Sequence, residues 1–262
     1  MDFDAVLEQV AAGGECTLSA DWGQGRASFG GAVVAMVYAA MQQRLSGDRP
    51  LRALATSFVG PVAPDVPFTL AVEVLREGKA VTQCAGRLIQ NGEVQCMVLG
   101  SFGAGRASSV SVAAEPGPVL QGPERCQALP FIPGVTPAFT QHIDMRWAIG
   151  HMPFTGKGGR EMGGWMRFRD TPRALTDAHI IALVDCWPPA VLPHVKGPAP
   201  ASSLSWTLEL VHPGPVLAPD DWLAYRACID QARDGYGHTE AGIWNAQGEL
   251  VALSRQTVTV FG

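Results

Sequence analysis

What most limits the fold of this chain is that it repeats itself. The run Gly31-Ala-Val-Val-Ala-Met-Val-Tyr-Ala-Ala40 returns in apolar pattern as Ala178-His-Ile-Ile-Ala-Leu-Val-Asp-Cys-Trp187, with His179 and Asp185 as exceptions. Gly60-Pro-Val-Ala-Pro-Asp65 has an echo in Gly214-Pro-Val-Leu-Ala-Pro-Asp220, and Asn91-Gly-Glu-Val94 in Gln247-Gly-Glu-Leu250. The offset drifts from 147 to 156 residues, as small insertions produce, so the chain reads as a tandem duplication of one domain. Between the copies, from Arg106 to Ala138, six prolines (Pro116, Pro118, Pro123, Pro130, Pro133, Pro137) interrupt any helix or central strand. The expected organisation is therefore an N-terminal domain over residues 1–105, a proline-rich linker over 106–138 and a C-terminal domain over 139–262.

Each copy reads as α+β, one helix followed by strands. The helix expected from about Gly31 to Leu45 is apolar or small nearly all round at its start, the pattern of a helix wrapped by other structure. After it, Phe68, Leu70, Val72 and Val74 alternate along one strand, and Val94, Cys96, Val98 and Phe102 share one face of another. Asn91-Gly92 supplies the two residues that tolerate positive φ in a tight hairpin turn. An antiparallel sheet curled round a buried helix, made twice, is the expected architecture.

Composition excludes several classes. The net charge of −5 carries no basic cluster, which argues against nucleic acid as a partner. Only 16% of residues are charged and 47% are hydrophobic, which suits a chain that buries much of its surface, in a homo-oligomer among other ways. No segment has the roughly 18 apolar residues of a membrane span, and the acidic start MDFDAVLEQ is unlike a secretory leader; a cytoplasmic protein is expected. The six cysteines lie far apart with no C-x-x-C pair, and the six histidines show no paired spacing, so neither encodes a metal site. His179, on the buried-looking helix, reads as a satisfied polar residue or pocket lining. Gly150-His-Met-Pro-Phe-Thr-Gly-Lys-Gly158 mimics a phosphate loop, but a proline intrudes and Gly158 stands where Ser or Thr should be.

Two polar residues sit where the pattern calls for apolar ones. Asp185 ends the second apolar run, where apolar neighbours and the negative end of the helix dipole both disfavour a carboxylate; its pKa should be raised, toward that of a useful base. A helix-end residue bonded to the following turn is the plainer reading, but the first copy has Tyr38 there, so the helix does not require the carboxylate. Gln256 shares a strand face with Leu250, Ala252, Ser254, Val258 and Val260, while its counterpart in the first copy is near Gly100. An amide on that face needs a partner.

The ordered set Phe29-Gly-Gly-Ala-Val-Val-Ala35, Val72-Glu-Val-Leu-Arg-Glu-Gly78, Leu183-Val-Asp185, Asp221-Trp-Leu-Ala-Tyr225, Gly248-Glu-Leu-Val-Ala252 and Gln256 resembles the acyl-CoA thioesterase II family. That resemblance implies a double hotdog, and a cofactor-free hydrolase that splits acyl-CoA into free acid and CoA with an Asp, a Ser or Thr, and a Gln around the attacking water. Asp185 matches the Asp and Gln256 the Gln; Ser203 carries the hydroxyl most naturally. Ser202 competes with it, because Leu204, Trp206, Leu208 and Leu210 define the apolar face and strict alternation turns Ser203 away; a bulge would reconcile the two. Gly30 and Gly31, opening the first helix, are the expected backbone donors to an oxyanion if that helix start faces the site from the other half. Met36, Tyr38 and Trp187 are expected to line an acyl channel between the halves. Two alternatives stay open: an acyl binder without turnover, and an enoyl-CoA hydratase, which pairs an Asp with a His five residues on where this chain has Ala190.

Overall fold

The protein is described over residues 1–261 by a computed structural model. Three helices, α1 (Phe3–Ala12), α2 (Gly30–Gln42) and α3 (Asp177–Val184), accompany thirteen strands. A small hairpin, β1 (Gly23–Gln24) with β2 (Ala27–Ser28), stands apart. The first half then supplies β3 (Leu51–Phe58), β4 (Thr69–Glu77), β5 (Val81–Gln90) and β6 (Glu93–Gly103). The second half supplies β7 (Gln127–Ala128), β8 (Ile143–Ile149), β9 (Glu161–Phe168), β10 (Ala201–Leu210), β11 (Leu223–Arg233), β12 (Tyr236–Asn245) and β13 (Leu250–Val260).

β3 to β13 make one antiparallel sheet in the order β4-β5-β6-β3-β10-β13-β12-β11-β9-β8-β7, so the halves fuse edge to edge where β3 meets β10. Joining the two edges removes exposed ladders that each half would otherwise present to other chains. The result is a double hotdog, with α2 and α3 packed on the inner face of the continuous sheet. α2 buries nine of its thirteen residues, which explains its lack of a polar stripe. It ends at Gln42, short of the expected Leu45. α2 and α3 run antiparallel to one another, because the start of α2 at Gly31 lies on Ala182 while Tyr38 reaches Asp177.

Local chemistry explains several boundaries. Asn91 and Gly92 turn the β5–β6 hairpin with φ of 54° and 80°, both positive as that turn requires. Thr176 and His179 form a capping box at the start of α3, and His179 Nε2 lies 3.1 Å from Asp4 Oδ1 of α1. His179 is thus a satisfied buried polar residue. The proline-rich segment forms only a short strand and isolated turns, and it packs on the outer face of the second half. There Trp165 Nε1 donates to Gln121 O (2.8 Å), Trp244 Nε1 to Glu115 O (3.3 Å) and Gly117 N to Gly248 O (3.1 Å), with Leu120 and Cys126 covering Trp165, Ala224 and Trp244. β8 and β9, which precede α3, have no strand counterparts before α2, where α1 and the small hairpin stand instead.

Candidate active site

Asp185 is the C-cap residue of α3, held at φ −85° and ψ −2° where the apolar helix stops before Pro188 and Pro189. Its Oδ1 accepts a 2.8 Å hydrogen bond from Gln256 Nε2 on β13. The backbone N–H of Gly31 also favours its charge, and a Cβ built on Gly30 would stand 2.9 Å from Oδ2. The carboxyl group therefore lies between the end of one half's helix and the start of the other's. Asp185 keeps some accessible surface, yet the group itself is enclosed, and burial drives its pKa up to about 7 against the opposing pull of Gln256 and Gly31. The antiparallel helices set up a contest: the C-terminus of α3 disfavours the anion and the N-terminus of α2 favours it. Desolvation decides the outcome.

Both glycines are sterically required. A methyl group on Gly30 would meet the Asp185 carboxylate and, at 3.2 Å, the Phe58 ring; one on Gly31 would stand 2.7 Å from the carbonyl oxygen of Ala182. Gly30 keeps space beside the carboxylate, and Gly31 lets the helices touch.

β10 carries a bulge between Ser203 and Ser205, so that Ser203 pairs with Val258 while Trp206 pairs with Gln256. Cross-strand partners share a face, and the extra residue, Leu204, turns outward to 42% exposure. Ser203 is thereby brought to the inner face of Gln256 and Val258, about 7 Å along the strand from the level of Gln256. Ser202, favoured by strict alternation, is exposed and pairs with Thr259. Among the described residues Ser203 makes no hydrogen bond to Asp185 or Gln256.

Trp187 lies two residues beyond Asp185, buried, with its ring stacked on Tyr225 (5.3 Å, 2°) and tilted against Trp147 (4.9 Å). The Nε1 atoms of Trp187 and Trp147 are both buried without an acceptor. Burial and the neighbouring Cys186 and Asp185 push the Tyr225 hydroxyl well up. Tyr225 and Phe58 were not singled out as site residues from sequence, although Tyr225 alternates with Leu223 and Ala227 on the inner face of β11.

Of the residues expected to line a channel between the halves, Tyr38 is placed at Asp177, at the start of α3 and away from Asp185. Met36 and Tyr38 are both fully buried, and the antiparallel arrangement carries Tyr38 to the other end of α3. Tyr38 Oη donates to Asp177 Oδ2 (3.1 Å), with His212 Nε2 at 3.3 Å from the same oxygen. Here, at the counterpart of the Asp185 site, Tyr38 replaces the carboxylate, and Gly100 replaces the glutamine beneath Phe102 and Met41. That second position is packed shut. Two surface cavities of about 540 and 580 Å³ open around Arg160, and neither is lined by Asp185 or Gln256. Among the described residues no cluster of three or more His, Cys, Asp or Glu is placed to hold a metal ion, and no helix is long and apolar enough to cross a membrane.

The fused double hotdog places the chain among the hot dog fold proteins. Comparison with known families narrows it: residues 18–103 match the acyl-CoA thioesterase N-terminal domain, and residues 123–260 match the acyl-CoA thioesterase C-terminal domain. The chain belongs to the acyl-CoA thioesterase family. Among solved structures it is similar to a hot dog fold protein of unknown function from Alicyclobacillus acidocaldarius (TM-score 0.82, 23% identity, covering 95% of this chain and 92% of that one). It is also similar to a tesB protein of Mycobacterium avium subs paratuberculosis (TM-score 0.79, 17% identity, 99% and 98%) and to an acyl-CoA thioesterase II, TesB2, from Mycobacterium marinum (0.69, 20%, 90% and 90%). No curated protein matched it.

Proposed function

We propose that this protein hydrolyses an acyl-CoA thioester to a free acid and CoA through a single site, with Asp185 as general base. The observation that carries the reading is the Asp185–Gln256 bond at 2.8 Å, enclosed at the start of α2, with the Asp185 pKa raised to about 7. A carboxylate of that basicity takes a proton from water near neutral pH far better than a solvated one. Gln256 donates to Asp185 and leaves its Oε1 free to accept from the attacking water; Ser203 orients that water from the neighbouring strand. As the water oxygen bonds to the thioester carbon, Asp185 takes its proton and the carbonyl oxygen becomes an oxyanion. The N–H of Gly30, unpaired within its helix, meets that charge at the positive end of the dipole, while the Gly31 N–H stays on Asp185. Collapse of the intermediate breaks the carbon–sulfur bond and expels the CoA thiolate, which the proton held on Asp185 neutralises. Trp187, Tyr225 and Phe58 surround the acyl group. Free-thiol release from acyl-CoAs of graded chain length tests the reading: wild type turns over, and Asp185→Asn is slower by about 10²–10⁴-fold. Equal rates for the two would remove Asp185 from the mechanism, and tight binding without thiol release would make the protein an acyl carrier or sensor instead.

A further inference from the structure

The larger cavity around Arg160, of about 580 Å³, joins apolar lining to a basic rim. Val191, Ile229 and Val260 line it together with Arg160, His194 and Arg233. Two loops laid side by side make the rim: Gly156 N donates to Val195 O (3.1 Å) and His194 Nε2 lies 2.8 Å from Gly159 O, which ties the stretch Gly156-Lys-Gly-Gly-Arg160 to the loop after α3. Two of the chain's three lysines, Lys157 and Lys196, therefore stand beside the cavity, both exposed. Arg160 donates to the carbonyl oxygens of Ile229 (3.2 Å) and Asp230 (2.6 Å). Among the described residues, Lys157, Arg160, Lys196 and Arg233 have no salt-bridge partner. Asp230 is the one carboxylate in the lining, and Arg255 already holds it at 2.7 Å. In a chain of net charge −5, unpaired cations beside an apolar pocket suit an amphipathic anion.

The ladders fix where this cavity lies relative to Asp185. Gln256 pairs with Thr239, Val258 with Gly237 and Ser203, and Val260 lines the cavity four residues along β13, about 14 Å from the level of Gln256. Tyr225, through Ile243, stands level with Ala252, on the opposite side of Gln256. Asp185 and Gln256 thus lie between an aromatic pocket and a basic cavity. We propose that this cavity binds the phosphorylated adenosine end of CoA, an inference that rests on the acyl-CoA reading of the Asp185 site. The pantetheine arm, about as long as four extended residues, spans the interval, with the acyl group toward Trp187 and Tyr225 and the phosphates at Lys157, Arg160 and Lys196. Those phosphates supply the charge that the three cations lack. Gly158 and Gly159 carry no side chain to hold a phosphate off the backbone. Tyr236, 49% exposed at the cavity, offers a ring face on which adenine stacks. The stretch fails as a triphosphate loop for want of a Ser or Thr after Lys157 to hold magnesium, an ion that CoA does not require.

Calorimetric titration and a pair of substrates test this. Adenosine 3′,5′-bisphosphate should bind wild type in competition with CoA, and should bind Lys157→Glu/Lys196→Glu at least about tenfold more weakly at low salt. The ratio of kcat/KM for an acyl-CoA to that for the same acyl group on pantetheine should fall by at least about tenfold in the double variant, because pantetheine carries no phosphate. Lys79→Glu, which reverses the third lysine on the β4–β5 turn, should leave that ratio as it is in wild type. A ratio that the double variant does not move, or bisphosphate binding that is equally tight in both proteins, would overturn the proposal. Should the double variant not fold, acetylation of wild type decides: Lys157 and Lys196 left unprotected by saturating bisphosphate would place the nucleotide elsewhere. The two readings fail separately. Bisphosphate binding at these lysines without thiol release keeps this site and removes the hydrolase, whereas turnover with equal preference for acyl-CoA and acyl-pantetheine keeps the hydrolase and removes this site.

Discussion

Replacing Asp185 by Asn should stabilise the protein while disabling it, and the stabilisation should depend on pH in one direction only. The folded carboxyl has a pKa of about 7 against the ordinary Asp value of 3.8, so between those values the native state binds more protons than the unfolded chain. Stability carried by Asp185 is therefore full below about pH 4, falls as pH rises through the window, and is flat above pH 7. A gap of about three pKa units corresponds to about 4 kcal/mol at mildly alkaline pH. The Asn variant escapes this cost but turns an amide N–H toward the Gly31 N–H, which returns about 1–2 kcal/mol. The net gain is about 2 kcal/mol, or about 4–8 °C in Tm for a chain of this size. Differential scanning fluorimetry of the two proteins from pH 4 to pH 8.5 should show the Tm difference, variant minus wild type, growing steadily up to pH 7 and then levelling. A difference that is constant across that range, or largest at acid pH, would refute the enclosed, destabilising carboxylate.

Further outcomes follow from the same geometry. The limb of log(kcat/KM) should rise with slope one as pH increases and level near pH 7, because the ionised Asp185 is the active form; a limb centred near pH 4 would show a solvated base. Gln256→Ala removes a hydrogen bond that lowers the Asp185 pKa, so that limb should move to higher pH while the plateau drops; an unmoved limb would mean that the bond does not persist in solution. Gly30→Ala should cost activity by at least about tenfold with little change in Tm, since its methyl meets the carboxylate and a movable ring. Gly31→Ala, whose methyl meets the Ala182 carbonyl, should cost about 1–3 kcal/mol of stability measured in urea.

The parts of this molecule that were legible in the sequence are those set by local pattern. The duplication, the wrapped helix α2 and the Asn91-Gly92 hairpin each follow from side chains and φ preferences within a few residues. Asp185 stood out because a carboxylate ended an apolar helix whose other copy manages with Tyr38, and Gln256 because it broke an aliphatic strand face. What could not be read depends on partners distant in sequence. The bulge at Leu204, which turns Ser203 and not Ser202 to the inner face, is a property of the β10–β13 ladder and is not legible in the alternation along β10. The expectation for Tyr38 rests on the apolar run of α2 alone, which does not give the direction of α3 beside it; the helices run antiparallel and carry Tyr38 to Asp177. The fusion of β3 to β10 and the strands β8 and β9 leave no mark in the duplicated pattern.

The central claim, that Asp185 activates water and does not itself attack the thioester, is tested most directly by a single turnover in ¹⁸O-water. With enzyme in excess over an acyl-CoA, the released acid should carry the heavy oxygen from the first turnover, and the peptide containing Asp185 should stay unlabelled. Unlabelled acid accompanied by ¹⁸O in Asp185 would contradict it, since the oxygen would then have come from the side chain through a covalent intermediate.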